Sequence, residues 1–213
     1  MRDDTKEKLL NNAERLFAEK GIAATSIRDL TQATGVNLAS VNYHFGSKHG
    51  LVEQVLERRI MPLNQARTER LQLVLKTAAA TGKKPLIEDL LRALIEPTFE
   101  FAANLPEGQY FLQIVSRAMS GPDAQVRAIF LQHFKPLFQL VSAAMHQALP
   151  ELPSSVLLWR LYFSIGALHS SMQMIGKKEP LLGSPMDTGN TSAIVEMLLT
   201  FLTSGMQAPN AAV

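Results

Sequence analysis

The sequence predicts an all-α protein of about nine helices, organised as a short three-helix block followed by a larger helical block. Three observations predict it. Apolar residues recur at three- and four-residue spacing almost everywhere, the spacing of one buried helix face. Cap and stop residues punctuate that periodicity, and no segment shows the two-residue alternation of a strand. Hydrophobic residues make up 46% of the 213 and charged residues 19%, so there is material for a real core.

The elements follow in order. Leu9, Leu10, Ala13, Leu16 and Phe17 line one face of a first helix, and Lys20-Gly21 supplies its stop. Ser26-Ile27-Arg28-Asp29 is a capping box, in which the serine hydroxyl accepts from the amide of Asp29 and the carboxylate reaches back. It opens a second helix that ends at Gly35. Asn37 caps a third, short helix through Phe45, stopped by Gly46. Ser47 caps a fourth, which carries Leu51, Val52, Val55 and Leu56 on one side, extends to about Ala80 and is kinked at Pro62. Beyond Gly82 the helices become longer and more apolar: 85–104 with a kink at Pro97, then 107–119, 122–148, 154–176 and 190–205. Pro85, Pro106, Pro122 and Pro153 stand where first-turn prolines are tolerated. Residues 176–189 form the one long loop.

The bulk numbers exclude several classes of protein. A net charge of +2 is too mild for a wholesale polyanion binder, so any nucleic-acid surface must be local. The absence of cysteine rules out a disulfide framework and a thiolate zinc site and fits a reducing interior. The start, MRDDTKEKLL, lacks the apolar run of a signal peptide, and no stretch approaches the roughly 18 uncharged apolar residues that span a bilayer. A cytoplasmic protein without a membrane partner is expected. No Ser-His-Asp arrangement, phosphate-cradling glycine loop or HExxH appears, so the chain does not read as an enzyme, and no cofactor is implied. His44 and His49 are five apart without acidic partners, so no metal site is expected.

The short third helix is the informative element. At about 100° per residue, Leu38, Val41 and Phe45 share one apolar arc, with Asn42 at its edge, and that arc is expected to pack on the two preceding helices. Ala39, Ser40, Tyr43 and His44 point the other way, giving a face with hydrogen-bonding groups and almost no charge. A solvated face usually carries Lys and Glu; a face that enters the DNA major groove needs neutral donors and acceptors of modest bulk. Helix, a turn around Gly35-Val36-Asn37, then helix is the helix-turn-helix arrangement.

Ala13, Leu16-Phe17, Gly21, Thr25, Ile27, Leu30, Gly35-Val36, Tyr43, His44-Phe45, Ser47-Lys48 and Leu51 lie in the order and spacing of one known domain. Residues 9–56, about a quarter of the chain, resemble the DNA-binding domain of the tetracycline-repressor (TetR) family. The resemblance implies a homodimer in which residues 1–50 form the DNA-binding domain and 51–213 the effector-binding and dimerisation domain. It implies that the third helix reads a near-palindromic double-stranded operator, usually to repress transcription. Base edges would be read by Ala39, Ser40 and Tyr43, the first suited to a thymine methyl. Lys48, in the first turn of helix four, and Ser47, through its hydroxyl or its amide, would hold a phosphate, as would His44. Thr25, Ser26 and Arg28 resemble the family's second phosphate clamp. One departure stands out: the family has an aromatic, mostly tyrosine, at the position of Asn42. That contact is either lost or taken over by the Asn42 amide. Between Ile22 and Gly50 the charges are Arg28, Asp29 and Lys48 alone, a net of +1, so a modest salt dependence is expected.

In the larger block, aromatic residues among helices 85–148 read first as core. The resemblance implies an inducer pocket between helices four and seven, and Phe99, Tyr110, Phe130 and Phe134, with Gln113, Arg117 and His133 set in apolar runs, are its candidates. Each polar one is otherwise an exposed or internally satisfied side chain. VNYHFGSK resembles the fatty-acid-responsive members of the family, but it lies in the DNA-reading half and does not speak for the pocket; a small hydrophobic effector, of acyl type, is the expected ligand. Ser164, Ala167, Leu168 and Ser171 mix small and apolar residues in one helix, and Leu198, Phe201 and Leu202 belong to another with more apolar surface than one face can hide. These two helices are assigned to a four-helix dimer interface. Dimer geometry would set the recognition helices about 34–36 Å apart, and an effector preferring another spacing would release DNA, with helix four transmitting the change through Pro62. The alternative is a helical protein-interaction scaffold without DNA binding.

Overall fold

The computed structural model describes residues 2–104, 108–120, 124–174 and 190–209. Among them are nine α-helices and no strand: α1 (Arg2–Lys20), α2 (Ile27–Thr34), α3 (Leu38–Phe45), α4 (Lys48–Thr81), α5 (Ile87–Asn104), α6 (Gly108–Ser120), α7 (Ala124–Ala148), α8 (Ser154–Met174) and α9 (Thr191–Gln207). The all-α fold read from periodicity is the fold observed, with most boundaries within two residues of expectation. Pro85 and Pro153 differ in detail. The carbonyls of Leu86 and Pro153 accept the first helical bonds of α5 and α8, so both prolines precede their helices rather than occupying the first turn. Pro106, Pro122 and the loop 176–189 lie outside the described residues.

The chain divides into two compact units, Met1–Leu63 with Phe101–Phe134, and Asn64–Glu100 with Lys135–Val213. In the first, Leu9, Ala13, Leu16 and Phe17 of α1 are buried with Leu30 of α2, Val41 and Phe45 of α3, and Leu51, Val55 and Leu56 of α4. Each of these leucine, valine and phenylalanine side chains contributes about 1.5–3 kcal/mol, which is what holds the eight-residue α2 and α3 in place. α6 lies against α1, burying Phe111, Leu112, Ile114 and Val115. Inside this apolar block sits a fully buried carboxylate. Glu14 receives Arg59 through Nε and Nη2, the latter at 2.8 Å, and Arg58 through Nη2. Arg58 also reaches Glu7 and Asn11 of α1. Two guanidiniums from α4 thereby fasten α1 along its length.

The second unit contains the α8–α9 pair, with Leu157, Leu161, Val195, Leu199 and Met206 buried. Arg160 donates to the Met206 and Pro209 carbonyls at 2.7 and 3.3 Å, satisfying the C-terminal end of α9. Arg92 of α5 bonds Glu88, Glu96 and, at 2.6 and 3.0 Å, Glu196 of α9. Arg67 of α4 is buried, and its donors go to Asn64 Oδ1, the Leu94 carbonyl and, at 2.6 Å, Thr98 Oγ1. Its acceptors flank Pro97, which has no amide to give to the preceding turn of α5. Burial pushes the Arg67 guanidinium down to about 10, still protonated at neutral pH.

Candidate nucleic-acid interface

α2 starts as its sequence requires. Ser26 Oγ accepts from the Asp29 amide at 3.1 Å and the Asp29 carboxylate accepts from the Ser26 amide at 2.8 Å. Lys20 lies 3.6 Å from the same carboxylate. The Ser26 hydroxyl and then the Ser26 amide, both donating to the carboxylate, with the Lys20 charge, hold Asp29 below the usual carboxylate range. α2 ends at Gly35, whose φ of 68° is the left-handed conformation that favours glycine. Asn37 then caps α3, its Oδ1 accepting from the Ser40 amide at 2.9 Å. Val41 and Phe45 anchor α3 inward, while Ala39, Asn42 and Tyr43 are exposed, Tyr43 by 72%. Leu38 does not follow its arc. It is 56% exposed, because the packing seam admits only the i and i+4 pair Val41 and Phe45, leaving the first helical residue over the edge. His44 is half-buried and meets the Tyr43 ring edge-on at 5.2 Å.

The phosphate candidates separate into groups. Ser26, Arg28, Asn42 and Ser47 are exposed, and Arg28 makes no side-chain bond among the described residues. Lys48 stands in the first turn of α4 and donates to the Ala23 carbonyl at 3.3 Å. Lys48 and Leu51 of α4 line a packing gap, too tight for a water molecule, together with Thr25, Ser26 and Ile27, so α4 and the start of α2 meet. Thr25 is the correction. It is 2% exposed and its hydroxyl donates to the Gly21 carbonyl at 2.8 Å and the Leu16 carbonyl at 3.3 Å. A hydroxyl that satisfies the end of α1 is not available to a phosphate. The sequence also gave no notice of Gly50. A Cβ there would stand 2.3 Å from the Phe45 carbonyl oxygen, so only glycine allows the start of α4 to pass so close to the end of α3.

The effector candidates are less well assembled. Tyr110, Phe130, His133 and Phe134 are half-buried residues of the first unit, with Phe130 and Phe134 stacked at 5.9 Å. Phe99, 3% exposed, belongs to the second. Gln113 is exposed. Arg117 is exposed too and donates to the Glu19 carbonyl at 3.2 Å, capping the C-terminal end of α1. That contact ties α6 to the end of α1. The charged residues of the α1 end were unreadable as its partners because the contact is to backbone.

On α8 and α9, the helices expected to pair, Ser164, Ala167, Leu168 and Ser171 are half-buried and Phe201 is 69% exposed. Leu198 and Leu202, 7% and 5% exposed, are buried within their own chain. The outward apolar surface consists of Leu158, Trp159, Tyr162 and Phe163 of α8 with Met197 and Phe201 of α9. Trp159 contacts Tyr162 at 5.8 Å and Phe163 at 5.7 Å.

Comparison with known proteins agrees with this layout. Residues 9–55 match the family model described as bacterial regulatory proteins, tetR family, and residues 92–205 match that of the tetracyclin repressor-like C-terminal domain. A Bacillus subtilis (strain 168) protein, the probable HTH-type transcriptional regulator YttP, is 26% identical over 144 residues, 66% of this chain and 64% of its own. The HTH-type transcriptional repressor KstR2 of Rhodococcus jostii (strain RHA1) is 42% identical over 60 residues, 25% of this chain and 29% of its own. The match thus spans less than two thirds of either relative. A TetR-family transcriptional regulator from Bordetella parapertussis 12822 shares the fold with a TM-score of 0.64 at 18% identity, over 97% of this chain and 98% of that one. SmeT, solved in complex with triclosan, does so with a TM-score of 0.65 at 19% identity, over 99% and 97%. With an amino-terminal helix-turn-helix, a carboxy-terminal helical half and a family model matching each, the chain belongs to the tetR family of bacterial regulatory proteins.

Proposed function

We propose that the protein is a ligand-responsive transcriptional repressor that binds a near-palindromic operator as a homodimer in the cytoplasm. The observation that carries this reading is the outward face of α3: Ala39, Ser40 and Tyr43 stand on a helix anchored from behind by Val41 and Phe45, with no charge among them. Such a face matches the neutral edges of bases in the major groove. Lys48 stands in the first turn of α4 and Arg28, exposed, in the first turn of α2, so their cations can meet a phosphate at these two helix starts. Ser47, His44 and the Asn42 amide complete the backbone contacts, Asn42 standing where the family has its tyrosine. Residues 1–50 act on DNA and 51–213 pair and bind the effector. Pairing uses the outward apolar face of α8 and α9. A small hydrophobic effector, of acyl type, lowers operator affinity by its preference for a different dimer; the triclosan complex of SmeT, a protein of the same fold, supports a small-molecule ligand.

The test is a mobility-shift titration of the full chain on the DNA upstream of its own coding region. A sequence-specific shift is expected, weakened on every duplex alike by Lys48→Ala. A chain that shifts no duplex, or a Lys48→Ala loss confined to one operator base, overturns the reading.

A further inference from the structure

We infer that the protein bends at three internal prolines, Pro62, Pro97 and Pro136, about which its two compact units turn as separate bodies. The chain passes between the units at Leu63–Asn64, Glu100–Phe101 and Phe134–Lys135, each time inside a helix: α4, α5 and α7. Each of these helices carries an interior proline within four residues of its passage, and no other described helix carries one. Proline has no N–H, so the ladder bond to the carbonyl four residues back is missing, at Arg58, Ala93 and Gln132, and the ring crowds that turn. A helix that spans two bodies yields first where its ladder is interrupted.

α4 shows what lies on either side of such a point. Before Pro62, Arg58 and Arg59 grip the buried Glu14 of α1, within the first unit. Beyond it, Arg67 donates to the Leu94 carbonyl and to Thr98, and Arg70 to Glu96 and Glu100 at 3.3 and 2.6 Å, all within the second. Each arm of the helix is fastened to its own body, and the proline stands between the fastenings. The passages through α5 and α7 place α6 and the first part of α7 with α1, α2 and α3. α6 therefore travels with the short third helix and not with α8 and α9. The inference concerns the chain by itself and does not depend on operator binding.

The full chain contains no cysteine, so spin labels can be placed in chosen pairs. Gln32→Cys with Gln147→Cys puts one label on each unit; Gln32→Cys with Gln113→Cys puts both on the first, and all three sites are exposed. With labelled chains diluted into an excess of unlabelled ones, double electron–electron resonance reads the distances within one chain. The cross-unit pair is expected to give a broader distribution than the pair within one unit. Pro62→Ala, Pro97→Ala and Pro136→Ala together restore the missing N–H groups with the best helix former and should narrow it to the within-unit width. Hydrogen exchange of the parent chain gives a reading without these variants, and decides if the triple variant fails to fold. Amides flanking the three prolines should exchange faster than those two turns away in the same helices. A cross-unit distribution as narrow as the within-unit one, a triple variant as broad as the parent, or slow exchange at the prolines overturns the hinge. None of these results bears on whether the chain binds DNA.

Discussion

At the scale of single residues, the caps carry much of the local design. Asp29 owes its depressed titration first to the Ser26 hydroxyl, then to the Ser26 amide and the Lys20 charge. Because its folded value lies below its unfolded one, its stabilising contribution is complete above the ordinary carboxylate range. It is lost as pH falls through the depressed folded value. Carboxylate NMR should find the Asp29 midpoint below that of a free aspartate, moving up in Ser26→Ala, which also costs about 1 kcal/mol of stability; an unshifted midpoint in the parent protein would contradict the capping box. Ser26 and Asn37 were legible because capping depends on neighbours three residues away. Thr25 and Gly50 were not. The hydroxyl of the first meets carbonyls of another helix, and the backbone at the second passes a carbonyl across a turn, contacts that local spacing does not encode.

At the scale of elements, periodicity located the helices but not what fastens them. Glu14 sits among the core positions of α1 and reads locally as an ordinary charged residue. Its two arginines lie more than forty positions away on α4. Removing the carboxylate leaves two guanidiniums facing each other in an apolar setting, so Glu14→Ala should cost about 3–5 kcal/mol. Differential scanning calorimetry of the full chain should show melting lowered by roughly 6–20 °C; an unchanged transition would mean that the cluster contributes no net stability. Arg117 was singled out from the sequence as a polar group in an apolar run, which it is, but its partner is the backbone end of α1. Arg67 drew no attention, since Asn64, Leu94 and Thr98 carry no opposite charge.

At the scale of the whole molecule, family models match residues 9–55 and 92–205. The sides of the helices proposed to pair were not legible in the sequence. α9 is apolar around most of its circumference, so its sequence announces a surplus without saying which side the chain covers itself. α8 decides it: Leu198 and Leu202 turn inward, Met197 and Phe201 outward. The proposed pairing would cover this exposed set, and about 800 Å² per partner suffices for stable association. Light scattering at micromolar concentration should find a dimer for the parent chain and a monomer for Tyr162→Glu combined with Phe163→Glu, with helical content retained. A dimeric double variant would move the interface elsewhere.

The sequence contains a single tryptophan, and Trp159 is 60% open to water beside Tyr162 and Phe163. Its fluorescence therefore comes from one known spot on α8. Covering that indole by a second copy shifts its emission to shorter wavelength and shields it from iodide quenching. Dilution would reverse both, so the unlabelled protein carries its own optical test of the proposed pairing.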